Sequence, residues 1–453
     1  MLLVSAQAAT PLHLILYRKN YEAMSKNTMP LRIRLFPVAI LCFAVFISAC
    51  AQTQHQTHQL VESQLRANNT EAALQILDGQ SNSTKTTALH SLNKAMVLRQ
   101  MERYEESIAE FEKAKNQVGR LSPTSISESL MAYTLSEQFS SYKPTIYEHL
   151  FVNSFQIMNF LALDQLDSAR VEALQIDLAL TRLTKEGHFK EAAFARYITG
   201  LVFEANLELD NALIAYQSAY RNYESALLPI PDDLQQRIQY LIPSLGLELD
   251  TPRAEKERPL PLLPQGQLLI LSHIDFAPIK TSYDTTLVDP ETGHIYRVSL
   301  PKHLTRDLDG IHFEFTLNQR SFHGQQIADI ESIAMDDLNR KMPRLKARAL
   351  SRNISKYALA EEANQEHEIL GQMVNFLGAM LEQSDNRHWL TLPNKIHIAR
   401  QPLDQGAYSL EIKVLDRYNN IIERRNIENI EITANQFTFV NFTWQRMPEH
   451  SIH

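Results

Sequence analysis

Arg344, Arg348, Arg352 and Lys356 recur every four residues, a spacing that stacks them into one basic stripe on a helix. In an acidic chain such a stripe would grip an anionic partner: a lipid headgroup, a glycan phosphate or an acidic protein face. As an ordinary helix row it would be solvated, or matched within the chain by acids such as Glu361 and Glu362. Asp385 to Pro393 places Asp385, Arg387 and Trp389 just ahead of a strand-like run. The first two are spaced for a local ion pair, while Trp389 is either a buried anchor or an aromatic platform. Arg387 and Trp389 therefore join the four stripe residues as candidate partner-binding positions. Ala277-Pro278-Ile279-Lys280 reads as a strand exit, with Lys280 in a turn or facing a ligand. A pocket gathering Lys280, Arg348 and Arg387 would mark a ligand site.

Catalytic spacing is missing. The chain holds no His-Glu-x-x-His pair, Gly-x-Ser-x-Gly elbow or Walker loop. His55 and His58 fall in a polar stretch with no third ligand or rigid frame for a metal. Asp164 and Asp167 fall at a predicted helix-to-helix turn, where carboxylates cap helices. Glycine occurs only 12 times in 453 residues, which leaves few candidates for a phosphate cradle. No acid, base and nucleophile converge, so neither catalysis nor a metal or cofactor is expected. The two cysteines are Cys42 and Cys50, so nothing after position 50 can form a disulfide, a thiolate nucleophile or a cysteine zinc site. Net charge is −8, and residues 1–49 carry Arg18, Lys19, Lys26, Arg32 and Arg34 against Glu22, which makes the remainder more acidic still. Such a balance argues against nucleic acid as a partner.

The elements that must carry these residues change character along the chain. Residues 59–250 have apolar positions at helical spacing and few glycines. Ala95, Leu98, Tyr104, Ser107, Phe111 and Ala114 recur in spacing as Gly200, Phe203, Leu209, Ala212, Tyr216 and Ala219, with a looser copy through Ile157, Phe160, Leu166, Ala169, Ala173 and Ile176. Helices near 59–67 and 71–77 read as a cap or partial repeat. Residues 251–264, with four prolines, read as a linker. From 265 to 446 the period is two, and strands are predicted at 267–275, 295–300, 312–317, 395–399, 407–415, 421–432 and 437–442. Asn419-Asn420 is a hairpin turn, and a helical insertion is expected over about 324–383. The fold class expected is multidomain, α then α+β.

Several of these patterns resemble known families. The Ala and aromatic spacing resembles the tetratricopeptide repeat, a helical hairpin of about 34 residues. That implies a solenoid, followed here by a β-sandwich-like domain. Residues 1–49 read as a signal segment, with Met24 or Met29 the expected initiator: Arg32 and Arg34 precede an apolar run to Ile47, then Ser48, Ala49 and Cys50. The small pair before a cysteine resembles the lipobox of bacterial lipoproteins, which implies lipidation (palmitate) at Cys50 and a tether over 50–58. Ala51 and Gln52, with no aspartate, imply sorting to the periplasmic side of the outer membrane. Asp275 to Lys280, Asp336 to Lys356 and Asp385 to Pro393 resemble a family of uncharacterised bacterial lipoproteins with helical repeats. The function expected is a non-catalytic scaffold or adaptor that holds a protein partner of the cell envelope against the concave helical face. The alternatives are a ligand- or glycan-binding module in the β-rich part, or a subunit of a secretion or fibre-export assembly.

Overall fold

The computed structural model describes residues 56–80, 86–120, 142–184, 187–247, 265–290, 293, 295–306, 308, 310–366 and 384–447. The expectations at Cys50, at His55, at the linker 251–264 and at residues 367–383 lie outside them. Val61–His453 forms one compact unit. Its elements open with helices: α1 (56–66), α2 (Thr70–Asp78), α3 (Thr87–Gln100), α4 (Tyr104–Arg120), α5 (Ile146–Ala162), α6 (Leu166–Leu183), α7 (Phe189–Ala205), α8 (Leu209–Ser225) and α9 (Asp232–Ser244). Strands follow: β1 (Gly266–Phe276), β2 (Ile279–Val288), β3 (Ile295–Leu304), β4 (His312–Leu317), β5 (Arg320–His323) and β6 (Gln325–Asp329). Helix α10 (Ile330–Glu366) separates these from β7 (Pro393–Leu403), β8 (Gly406–Leu415), β9 (Ile421–Ile432) and β10 (Phe437–Trp444).

The helical hairpins share one turn. Asn68, Glu102, Asp164 and Leu207 have φ of 56°, 58°, 56° and 61°. The next residue in each case donates its N–H back to a helix carbonyl, Asn69 to Gln64, Arg103 to Leu98, Gln165 to Phe160 and Glu208 to Phe203, at 2.8–2.9 Å. This is the closure by which a left-handed residue satisfies the last carbonyls of a helix. Its recurrence sets the hairpins in register, and α1–α2 turns like the rest. At matched positions the volumes alternate: Ala95 with Phe111, Ile157 with Ala173, Gly200 with Tyr216, all six fully buried. Each hairpin meets its size requirement in its own way.

Two four-stranded sheets carry the rest, in the orders β10-β1-β7-β6 and β5-β4-β8-β9, beside a β2–β3 ladder. β1 pairs parallel with β10 and antiparallel with β7. All eleven β1 residues are buried, because each face of the strand meets a different layer. Leu268, Ile270 and Ile274 share a core with Phe313, Phe315, Leu410 and Ile412 of the other sheet. Leu269 and Leu271 share one with Phe155, Ile157 and Tyr197 of the helices. The chain is therefore a helical region followed by a β-rich region of mixed sheets, packed as successive layers.

Three boundaries differ from expectation. Residues 56–58 open α1 rather than belonging to a tether. Ile279 and Lys280, read as part of a strand exit, instead open a full strand, Ile279–Val288, paired with β3. The helical insertion begins at Ile330, since 325–329 is an edge strand running straight into it.

Candidate functional site

The shared turn places one residue per hairpin at the same station, directly after the carbonyl that closes it: Leu65, Arg99, Leu161 and Glu204. All four are 2–4% exposed. Two of the stations are apolar and two are charged, and the two charges are handled differently. Glu204 accepts from the Tyr216 hydroxyl at 2.6 Å, from Arg237, and from Arg400 Nη1 at 3.2 Å to each oxygen. Arg400 in turn pairs through Nε with Asp233 at 2.9 Å, and Asp233 also accepts from Tyr197. Burial pushes the Glu204 carboxyl up, but Arg400 and Arg237 outweigh it and hold the group below its ordinary value. This network ties α7, α8 and α9 to β7 with every charge compensated.

Arg99 has no such partner. Its Nη1 donates to Asn159 Oδ1 and its Nη2 to Asn441 Oδ1 at 2.5 Å. The guanidinium lies 5.6 Å from the Phe155 ring centroid and 5.8 Å from that of Tyr104. Among the described residues no carboxylate pairs with it. Burial pulls the guanidinium down to about 10. A cavity of about 320 Å³ opens beside it, where α1, α3 and the start of α4 meet β1, β9 and β10.

The walls of that cavity are polar and largely engaged. The Tyr104 hydroxyl accepts from Asn441 Nδ2 at 3.3 Å, and burial raises the phenol so that it keeps its proton. His273, 3% exposed, is lowered to about 3, by burial first and then by Arg99, so its ring is neutral. Among the described residues its Nε2 has no hydrogen-bond partner. Asp275 is already paired with Arg66 at 2.8 Å, and Arg425 with Glu423 at 2.5 Å.

The residues singled out from the sequence lie elsewhere. Arg344 is exposed, Arg348 and Lys356 are half-buried and Arg352 is 4% exposed. Ala349, in the same stretch of α10, packs on Val298 and Leu300 of β3. The expected single basic stripe is therefore interrupted where the helix lies on the β2–β3 ladder, and Arg352 does not offer its charge to solvent. Trp389 is 1% exposed and meets Phe111 and Phe155 edge-on, each at 6.0 Å. It is a core anchor, not a surface platform. Arg387 chelates Asp385 through Nε and Nη2, both at 2.8 Å, the local pair expected. Burial pushes Asp385 up, but Arg387 and then Lys280 overcome it and hold the carboxyl low. Lys280 is a strand residue opposite His303. None of Lys280, Arg348 and Arg387 lines the cavity.

Reading the sequence missed Arg99 because an arginine in a last helical turn is ordinarily solvated and favoured by the helix dipole. The signal was the repeat register, which sets it level with Leu65 and Leu161.

No family model matches the chain, and no curated protein matches it. Two solved structures share part of it: MamA 41-end from Desulfovibrio magneticus RS-1 and a MamA RS-1 ArsTM double mutant. Each is 14% identical at a TM-score of 0.30, covers 42% of this chain, and is itself covered to 85% and 84% respectively. So slight a likeness transfers neither fold nor function.

Proposed function

We propose that this chain is a non-catalytic adaptor of the bacterial cell envelope, with tetratricopeptide-like hairpins ahead of a β-sandwich-like part. It is lipidated at Cys50, held at the periplasmic side of the outer membrane, and docks a protein partner. The helical face built by α3, α5 and α7 is filled by the chain's own sheet, so the partner meets another face than the concave one first expected. The observation that carries the reading is an apolar row on α6: Val171, Leu174 and Leu178 are 55, 45 and 80% exposed. Their spacing puts them on one side of the helix. Ile214, 60% exposed, repeats the Val171 position on α8. A second protein with an apolar helix or strand would bury this row.

Two experiments test the two halves of the proposal. Cys50→Ala should abolish incorporation of labelled palmitate and release the protein from the membrane fraction; unchanged fractionation would remove the anchor. Leu174→Asp with Leu178→Asp should leave the thermal midpoint nearly unchanged, because exposed sites contribute little to stability. The same pair should lose whatever co-purifies with the wild-type protein after cross-linking in cells. Retention of the same partner would reject the α6 face.

A further inference from the structure

We infer that the cavity beside Arg99 is a binding site for a carboxylate, supplied by a small organic acid or by the end of a peptide. This goes beyond the adaptor role and stands without it, since it needs neither the anchor nor the α6 face.

The two buried charged stations are matched unequally. At Glu204 the fold surrounds a buried charge with two guanidinium groups. At Arg99, the same repeat position with the same burial, the hydrogen-bond acceptors among the described residues are two neutral amides. A charge removed from water without a counterion is costly, and proteins ordinarily match one. Here Arg99 lines open space large enough for a small ligand. Two of the five guanidinium N–H groups are used, and the rest can form the forked pair that suits a carboxylate.

The remaining walls narrow the choice. The Tyr104 hydroxyl accepts from Asn441, which leaves its own proton to donate. His273 also lines the cavity, and its neutral ring adds polarity without charge. Asp275 and Arg425 are each neutralised by Arg66 and Glu423, so they add no net charge. Glu102 stands exposed at the edge of the cavity, where water screens it. One uncompensated positive charge, two kinds of neutral polar group and apolar walls from Val97 and Phe276 fit a monoanion with an apolar stem. A phosphate dianion would remain under-neutralised.

Isothermal titration of the full chain with acetate, N-acetyl-alanine, N-acetyl-alanine amide and inorganic phosphate tests the site. The two carboxylates should bind and the amide should not. Tighter binding of N-acetyl-alanine would mark a peptide end, and of acetate a small acid. Arg99→Gln should weaken binding by about tenfold or more, and Tyr104→Phe by a few-fold. Arg99→Gln also removes a buried bridge between Asn159 and Asn441, so Asn441→Asp supplies a second arm that keeps the fold. It places a carboxylate next to Arg99 with almost no change in shape. It should raise the thermal midpoint and abolish carboxylate binding together. The inference is overturned if no carboxylate binds, if phosphate binds more tightly than either, or if Asn441→Asp still binds N-acetyl-alanine like the wild type.

Discussion

At Gly200 an added Cβ would stand 2.5 Å from both Cδ1 and Cε1 of Tyr216. The ring cannot retreat freely, because its hydroxyl is held by Glu204, itself locked between Arg237 and Arg400. Gly200→Ala would gain roughly 1 kcal/mol of helix propensity against overpacking of about 1–3 kcal/mol. We expect a net loss near about 1 kcal/mol in urea unfolding, relieved when Tyr216→Leu accompanies it. A gain in stability would show that the ring moves at no cost. Arg400 poses the opposite problem. Arg400→Met would leave Glu204 with Arg237 and Asp233 with only Tyr197, stranding part of a buried charge. The expected cost is about 3 kcal/mol, read as a lower denaturation midpoint, with Glu204→Gln in the same chain recovering part of it.

The elements show which sequence signals survive folding. Strands β4 and β8 match their apolar alternation closely, β9 matches in extent while its alternation is broken at Asn429, with φ of 59°, and Asn419, with φ of 62°, makes the expected hairpin turn under a hydrogen-bonded Asp416. β2 did not announce itself: Ile279–Val288 is polar at most positions because no residue of it is fully buried. β6 was lost inside the helical insertion because an edge strand of five residues runs into α10 without a breaker. The helical hairpins were legible through small and aromatic spacing, and Asp164 marked one turn, but the left-handed turn residues Asn68, Glu102 and Leu207 were not legible, since they stand where glycine is customary. Leu207 shows the cost, with φ of 61° and the residue 76% exposed. Leu207→Gly removes a left-handed penalty of about 1–2 kcal/mol and adds glycine's entropy cost of roughly 0.5–1 kcal/mol. Stability should rise by about 0.5–1 kcal/mol; a fall would mean that Leu207 makes a contact worth more than its strain. The Arg99 site was invisible for a related reason: only the repeat register, not residue type, distinguishes a buried helix end from a solvated one.

At the scale of the whole molecule, the helices and the sheets bury one another. Trp389, Leu392 and Ile396 share a core with Ala95, Phe111 and Phe155, and Thr391 donates its N–H to Asn93 at 3.1 Å. Residues 56–247 produced without 265–447 should therefore fail to give a cooperative, monomeric unfolding transition, and co-expression of the two should restore it. A sharp transition from the helical part alone would argue for independent domains. The same mutual burial creates a pH dependence. His273 on β1 and His397 on β7 are lowered by burial to about 3 in the folded chain, against an ordinary value near 6.5 when unfolded. Both rings stay neutral in the fold. As pH falls below about 6.5 the unfolded chain takes up protons that the folded chain refuses, so this contribution to stability is full above that pH. It is lost progressively toward pH 3, by up to roughly 1.4 kcal/mol per pH unit for each ring. Glu172 and Asp275, raised by burial, oppose the trend on the acid side. The urea midpoint should drop between pH 7.5 and 5, and His397→Phe should flatten that slope, since Phe313 already packs edge-on against this ring at 5.7 Å. An unchanged slope in this variant would trace the acid sensitivity to other groups.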